Sequence, residues 1–189
     1  GRHSQVGLVA VASCEDYLNN VIKKHEFTRP DKEDDRVRHI EALNSQTGPV
    51  FLTYRANAAL GALLAAMTCA LPAVDYTATD GVRHTAWVIA DQGAIQLIGS
   101  TFTSIACLYI ADGHHRSAAA ARVFQTHKGQ GESGWFLAVI FPHNQMQILP
   151  YNRVLQDLNG LTPAQLLDKL QVVFRVEPSG RAQPARKHE

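Results

Sequence analysis

The sequence predicts an α/β (α+β) domain in which a mixed sheet is flanked by helices. Short β-branched or apolar runs alternate with longer helix-like segments along the 189 residues, which is typical of α/β proteins. One interruption breaks this alternation, because Thr79-Asp80-Gly81 lies between two strand-like runs and favours a hairpin. A hairpin joins antiparallel strands, so the sheet is predicted to be mixed and not a doubly wound parallel sheet.

The first long helix is predicted where a proline is followed by acidic residues. Pro30 suits the first turn of a helix, and the acidic side chains within residues 31–35 suit the positive end of the helix dipole. The helix is expected to run to about Asn44. The apolar side chains expected to face the core are Val37, Ile40 and Leu43.

An alanine-rich segment, residues 56–71, carries no charged side chain and could suggest a membrane span. Polar residues interrupt it and Pro72 follows it, whereas a bilayer core needs about twenty strongly apolar residues. We therefore predict a buried helix and no association with a membrane.

The other elements follow from short apolar runs, turn residues and capping residues. The predicted strands are residues 6–12, 21–24, 50–54, 75–78, 83–89, 106–111, 135–141, 147–149 and 171–176. Further helices are predicted from Asp91 to about Ser104, from His114 onward, and from Thr162 to about Leu170.

Residues 1–176 are predicted to form a single α/β domain, and residues 177–189 a flexible tail. Because an apolar run begins as early as residue 6, the chain is expected to be a fragment of a longer protein.

Charge and cysteine content exclude several classes of protein. Eighteen Lys and Arg against seventeen Asp and Glu give a net charge of +1, which provides no electrostatic excess for nucleic acid or an anionic membrane. Cys14, Cys69 and Cys107 lack the CxxC spacing of zinc sites, and each is expected to be a buried apolar side chain. Without a secretory signal at the start, a reducing cytoplasmic location is predicted.

The segment with the clearest chemistry is LYIADGHHRSAAAARV, residues 108–123. A buried strand there ends in Asp112-Gly113 and turns directly into a helix, whose first backbone N–H groups and dipole attract an anion. Gly113 lacks the Cβ that would block close approach of a phosphate. The predicted phosphate-binding residues are Gly113, His114, His115, Arg116 and Ser117, of which Arg116 can donate two parallel hydrogen bonds.

Two alternatives remain for the same segment. Asp112 could simply cap the helix while the histidines are solvated. Asp112, His114 and His115 could instead bind a transition metal in a metal-dependent hydrolase, with His25 or His84 as an additional ligand. Neither a GxxxxGK[ST] phosphate loop nor a GxGxxG dinucleotide motif occurs in the sequence.

A second cluster of charged residues lies upstream, in residues 23–36. Glu26 could act as a general base, and the lysines and arginines could neutralise phosphate oxygens. A solvated, salt-bridged helix start is the alternative and is favoured for residues 31–35. Six residues, from this cluster and from weaker ones, are candidates for substrate contacts: His25, Arg29, Arg83, His84, Asn152 and Arg153.

Five segments resemble, in this order, the bacterial domain-of-unknown-function family 1015: HEFTRPDKEDDRVRHIEAL, GPVFLTYR, DGVRHTAWVI, LYIADGHHRSAAAARV and LPYNRVLQDLNGLT. The resemblance extends from about Gln5 to Val176 and implies that the chain is the central portion of a longer family member. The name of this family implies no activity.

A more distant resemblance implies an enzymatic activity. IADGHHRSAAA is similar to the DGHHR-type segment of archaeal free L-serine kinases and to phosphate-binding segments of the ParB and sulfiredoxin superfamily. It implies a ParB/sulfiredoxin-like core with insertions, in which residues 112–116 cradle nucleotide phosphates and Asp112 lies near a magnesium ion or the acceptor hydroxyl. KKHE resembles the kinase segment that carries a catalytic acid, which implies that role for Glu26.

The first functional hypothesis is therefore a phosphotransferase that uses ADP or ATP with Mg²⁺ and a small, serine-like hydroxyl acceptor. Glu26 and Asp112 would be its catalytic carboxylates. A non-catalytic nucleotide-binding switch is the alternative; it needs Gly113, His115 and Arg116 but not Glu26. The expected partners are a nucleotide and a small-molecule substrate, without nucleic acid, and self-association to a homo-oligomer would cover exposed apolar surface.

Overall fold

The computed structural model describes residues 3–149 and 154–178 of the chain. The chain divides into two compact units, Gly1–Met146 and Gln147–Glu189. The tail predicted from residue 177 lies almost wholly outside the described residues.

The first unit contains all the strands and five of the six α-helices that the structure describes. The strands are β1 (Leu8–Ser13), β2 (Ile22–Lys23), β3 (Val50–Tyr54), β4 (Val74–Thr77), β5 (Arg83–Ala86), β6 (Leu108–Asp112) and β7 (Trp135–Pro142). The helices are α1 (Cys14–Leu18), α2 (Pro30–Leu43), α3 (Ala58–Met67), α4 (Gln92–Thr103), α5 (His114–Thr126) and, in the second unit, α6 (Pro163–Gln171).

The main sheet has five strands in the order β1-β7-β3-β6-β2. The β1–β7 and β3–β6 pairs are antiparallel, and the β7–β3 and β6–β2 pairs are parallel. Strands β4 and β5 form a separate antiparallel hairpin. The mixed sheet with flanking helices is thus confirmed, and so is the hairpin around Thr79-Asp80-Gly81, where Gly81 adopts a φ of 81°.

The core lies where α5 packs against the centre of this sheet. Alternate residues of the central strands, including Leu52, Ile110 and Phe136, are at most 1% exposed. The four alanines 118–121 of α5 are also buried, because side chains of this size let a helix approach the sheet closely. Tight packing under the first turn of α5 therefore holds that end of the helix in place.

Two helices are less buried than predicted. In α2, Val37 and Ile40 are half-buried, but Leu43 is 51% exposed, so the prediction that it faces the core is wrong. Val37 and Ile40 share one face of α2, and the ion pairs of Arg122 with Glu33 and Asp34 add to the contact of this helix with α5. Within α3 Leu60 is buried, while Leu63, Leu64 and Met67, which follow it at helical spacing, are partly buried against the core and the alanines between them are exposed.

Two predicted strands are wrong. Residues 147–149 have no regular secondary structure, and Ile148 is 95% exposed. In residues 171–176, α6 continues to Gln171, and the backbone N–H groups of Val173 and Phe174 then donate to the Leu170 carbonyl in a turn. Apolar β-branched residues alone did not distinguish a strand from the end of a helix. The Thr162 capping box that starts α6 is as predicted.

Among the described residues, every helix is too short or too polar to cross a membrane.

The cysteines differ in their surroundings. Cys14 is fully buried, and this burial raises the pKa of its thiol to about 11. Cys69 follows the last turn of α3 and is exposed, so the prediction that it is buried is wrong; Cys107 is half-buried.

Since the thiolate is the reactive species, we expect iodoacetamide at pH 8 to alkylate Cys69 much faster than Cys14. Peptide mass spectrometry over time measures both rates, and equal rates in the folded protein would contradict this burial.

Candidate functional site

The candidate site is built on the junction between β6 and α5. Gly113 occupies the N-cap position of α5 with φ 97° and ψ 27°, a left-handed conformation that side-chain-bearing residues rarely adopt. No side chain of the described residues caps this helix end, so Asp112 does not have the capping role that was one alternative. The register of β3 against β6 shifts at the same place, because Phe51 pairs with Asp112 and Leu52 with Ile110. Such bulges are common beside functional sites.

A cavity of about 410 Å³ opens at this helix end. Its lining residues are Glu26, Arg29, Lys32, Arg36, Asp112, Gly113, His114, His115 and Arg116. The structure therefore brings together the two sequence segments that were predicted separately. Four cationic side chains face two carboxylates, which makes the cavity suited to an anionic ligand.

Lys32 and Arg36 were not among the predicted site residues. Both form no ion pair with the described residues, whereas Arg29 pairs with Asp31 at 2.8 Å. The signal was present in the sequence, since positions 29, 32 and 36 are spaced by three and four residues and share one helix face. It was masked by the intervening acidic residues, which made the whole run look like a solvated helix start.

Arg116 folds back over the turn at the helix start. Its Nη2 donates to Asp112 Oδ2 at 2.7 Å, and its Nε is buried with no hydrogen-bond partner among the described residues. A Cβ built on Gly113 would lie 3.0 Å from both Nε and Nη2 of Arg116. The glycine therefore serves two requirements, the left-handed backbone and the space for the guanidinium. A buried donor without a partner is rare in folded proteins and is a feature that a ligand can satisfy.

His114 is the most enclosed side chain of the cavity, at 4% exposure. Its Nδ1 lies 3.4 Å from Glu26 Oε2, and the ring packs edge-on against His25, with centroids 4.4 Å apart. Its Nε2 is buried and has no partner among the described residues. Burial lowers the pKa of His114, and the neighbouring His25 lowers it further, against the opposite effect of Glu26 and Asp112. The net effect favours the neutral form of the His114 imidazole.

His115 and Ser117 have structural contacts. His115 Nε2 accepts a hydrogen bond from the backbone N–H of Arg29 at 3.2 Å, which joins the start of α2 to the start of α5. Ser117 was predicted to bind phosphate, but it is fully buried and does not line the cavity. Its hydroxyl donates to the carbonyls of Gly113 and His114, three and four residues earlier, as a buried serine within a helix commonly does.

The weaker candidates lie elsewhere or outside the description. Arg83 pairs with Asp75 across the β4–β5 hairpin at 2.6 Å, and His84 stacks on Tyr76, so neither residue lines the cavity. Asn152 and Arg153 lie outside the described residues.

The side chains of the site fit a transition metal and magnesium differently. The described residues contain no group of three or more His, Cys, Asp or Glu side chains that could hold a metal ion, so Asp112, His114 and His115 do not form the predicted transition-metal cluster. Magnesium has a different requirement, because it is commonly held by one or two carboxylates together with substrate phosphates. The presence of Glu26 and Asp112 in one cationic cavity fits that requirement.

Comparison with known proteins identifies a family. The family model described as "Protein of unknown function (DUF1015)" matches residues 1–189, which is the whole chain. No curated protein and no solved structure matches the chain, so the likeness to serine kinases and to the ParB and sulfiredoxin superfamily stays a prediction. The chain belongs to the DUF1015 family of proteins of unknown function.

Proposed function

We propose that the cavity at the start of α5 binds the phosphates of a nucleotide, ADP or ATP, and that the protein transfers a phosphoryl group to a small hydroxyl compound. The observation that carries the proposal is the convergence of four cationic side chains on an uncapped helix N-terminus. A volume of about 410 Å³ lies within the range of about 300–1,000 Å³ that is typical of small-molecule sites.

The side chains have distinct roles in this proposal. Arg116 and the first N–H groups of α5 bind phosphate oxygens, and Gly113 lets the phosphate approach the backbone. Lys32 and Arg36 neutralise the charge that develops as the phosphoryl group moves. Glu26 and Asp112 are the residues that would hold magnesium, which would supply positive charge to offset that of the phosphates.

Glu26 is the proposed general base. The acceptor oxygen forms a bond to phosphorus while the bond to the leaving phosphate oxygen of the nucleotide breaks, and the hydroxyl proton passes to the Glu26 carboxylate. The contact with His114, at 3.4 Å, supports this role because it positions an otherwise 57% exposed side chain beside the phosphate-binding turn. A serine-like acceptor is proposed from the resemblance in sequence.

Non-catalytic nucleotide binding is the second candidate, and the Asp112–Arg116 ion pair favours it. An Asp112 carboxylate that is engaged by Arg116 is less available to a metal ion. The two functions differ in turnover: the first requires ADP or ATP to be consumed in the presence of a hydroxyl acceptor, and the second does not.

The test is calorimetric titration of the protein with ATP, ADP and inorganic phosphate, with and without Mg²⁺, followed by an acceptor screen that includes L-serine. We expect Arg36→Glu to weaken nucleotide binding at least ten-fold, because it reverses one of the four cavity charges. Arg38→Glu is the matched control, since Arg38 lies on the same helix but does not line the cavity. Equal effects of the two substitutions would mean that only the overall charge matters and would refute this site.

A further inference from the structure

Helix α2 and its N-cap carry three of the four cationic side chains of the cavity, yet no residue of this helix is fully buried. Arg29 at its N-cap, Lys32 and Arg36 line the cavity. None of the 14 described residues of α2 is buried, whereas α5 has seven buried residues. A helix without a fully buried residue has more solvent-exposed backbone hydrogen bonds than a core helix, and such a helix is expected to open locally before the core does.

Side-chain ion pairs join α2 to α5 at two places. Arg122 of α5, two turns beyond the cavity, donates to Glu33 at 3.3 Å and to Asp34 at 2.7 Å. Glu33 is the most enclosed of the three, with a side chain 17% exposed, and it also accepts a hydrogen bond from Thr28. At the far end of the helix, His127 contacts Glu41 at 2.9 Å.

The sequence order of α2 links this ion-pair cluster to the cavity. Lys32 directly precedes Glu33, and Arg36 follows Asp34 by two residues, so the acidic residues bind Arg122 while the adjacent cations face the cavity. A displacement of α2 from α5 would move Lys32 and Arg36 away from the helix start that binds the anion. The position of α2 thus controls the charge of the site.

We propose that Arg122 is a positioning residue: its two ion pairs hold α2 as a lid whose closure brings Lys32 and Arg36 onto the phosphates of the ligand. This inference rests on the proposed phosphate-binding function. Two electrostatic attractions favour the closed position of the lid. Arg122 attracts the acidic side chains of α2, and the bound phosphates attract Lys32 and Arg36. A ligand that binds the closed form better shifts the population towards it.

The first experiment is amide hydrogen exchange of the whole chain, followed by mass spectrometry. In the wild type we expect α2 to exchange faster than α5, and Mg²⁺-ATP to slow the exchange of α2. Arg122→Gln should accelerate the exchange of α2 without ligand and leave the central strand β3 unchanged. Exchange in α2 that is as slow as in α5, and insensitive to Arg122→Gln, would overturn the proposal.

The second experiment measures affinity for ATP and for inorganic pyrophosphate by calorimetry. Because Arg122 does not line the cavity, we expect Arg122→Gln to weaken binding by only about two- to five-fold, through the smaller closed fraction. Arg122→Lys should recover part of the loss. The matched control is Arg38→Gln, which removes the same charge and breaks the Arg38–Asp35 pair within α2, and should bind as the wild type does.

The two proposals fail differently. If the wild type binds neither ATP nor pyrophosphate, the proposed function is wrong, while the acceleration of α2 exchange in Arg122→Gln still decides whether Arg122 holds the helix. If the wild type binds and Arg122→Gln binds equally well, the positioning role is wrong and the proposed function stands.

Discussion

Replacing Arg116 with alanine is expected to weaken the binding of ATP and inorganic phosphate by about 10- to 150-fold. The loss follows from charge-assisted hydrogen bonds, which contribute about 1.5–3 kcal/mol each. Arg116 is the cationic side chain closest to the helix start, where its guanidinium lies across Gly113 and leaves Nε without a partner among the described residues. Calorimetric titration at two salt concentrations measures the effect, and the difference from the wild type should shrink at higher salt, because salt screens the attraction between Arg116 and the phosphate.

The control for this prediction concerns the partner of Arg116. Arg116→Ala also leaves Asp112 unpaired, and an unpaired carboxylate would itself repel an anion. Asp112→Asn separates the two effects, because it removes the carboxylate and releases the guanidinium. Without Mg²⁺ we expect Asp112→Asn to bind inorganic phosphate at least as tightly as the wild type. Wild-type affinity in Arg116→Ala would show that the phosphate binds elsewhere.

Substitution of Gly113 by alanine is expected to cost about 1–3 kcal/mol of stability and to disrupt the site at the same time. The stability loss arises from a side chain forced into a left-handed backbone conformation, here at φ 97°. The loss of binding arises from the new Cβ, which would lie 3.0 Å from two guanidinium nitrogens of Arg116 and would displace that side chain. Thermal unfolding and phosphate titration measure the two effects separately.

Gly81→Ala is the matched control for this substitution. Gly81 also has a positive φ, 81°, but no atom lies within 4 Å of the place where its Cβ would be. We expect a comparable loss of stability at Gly81 without any loss of ligand affinity, because the hairpin turn does not line the cavity. If both variants lost affinity equally, destabilisation alone would explain the result and the guanidinium would have no special role.

Local patterns in the sequence were sufficient for most elements of the fold. The helix that begins at Pro30, the hairpin around Gly81 and the capping residues Asp91 and Thr162 are all confirmed, since each depends on interactions within a few residues. The exposure of Leu43 was not predictable in this way, because burial depends on which elements pack against a helix.

The candidate site also combines features set by the local sequence with features set by tertiary packing. The sequence alone determined the strand, Gly113 and the helix start with His114 to Arg116, because turn chemistry and helix ends are local properties. Tertiary structure decided that α2 lies beside this turn, that Lys32 and Arg36 therefore join the cavity, and that Ser117 faces the core. The physical reason is that the packing of α2 on α5, and of α5 on the sheet, brings together residues 86 to 89 positions apart in the chain, and no local pattern specifies such contacts.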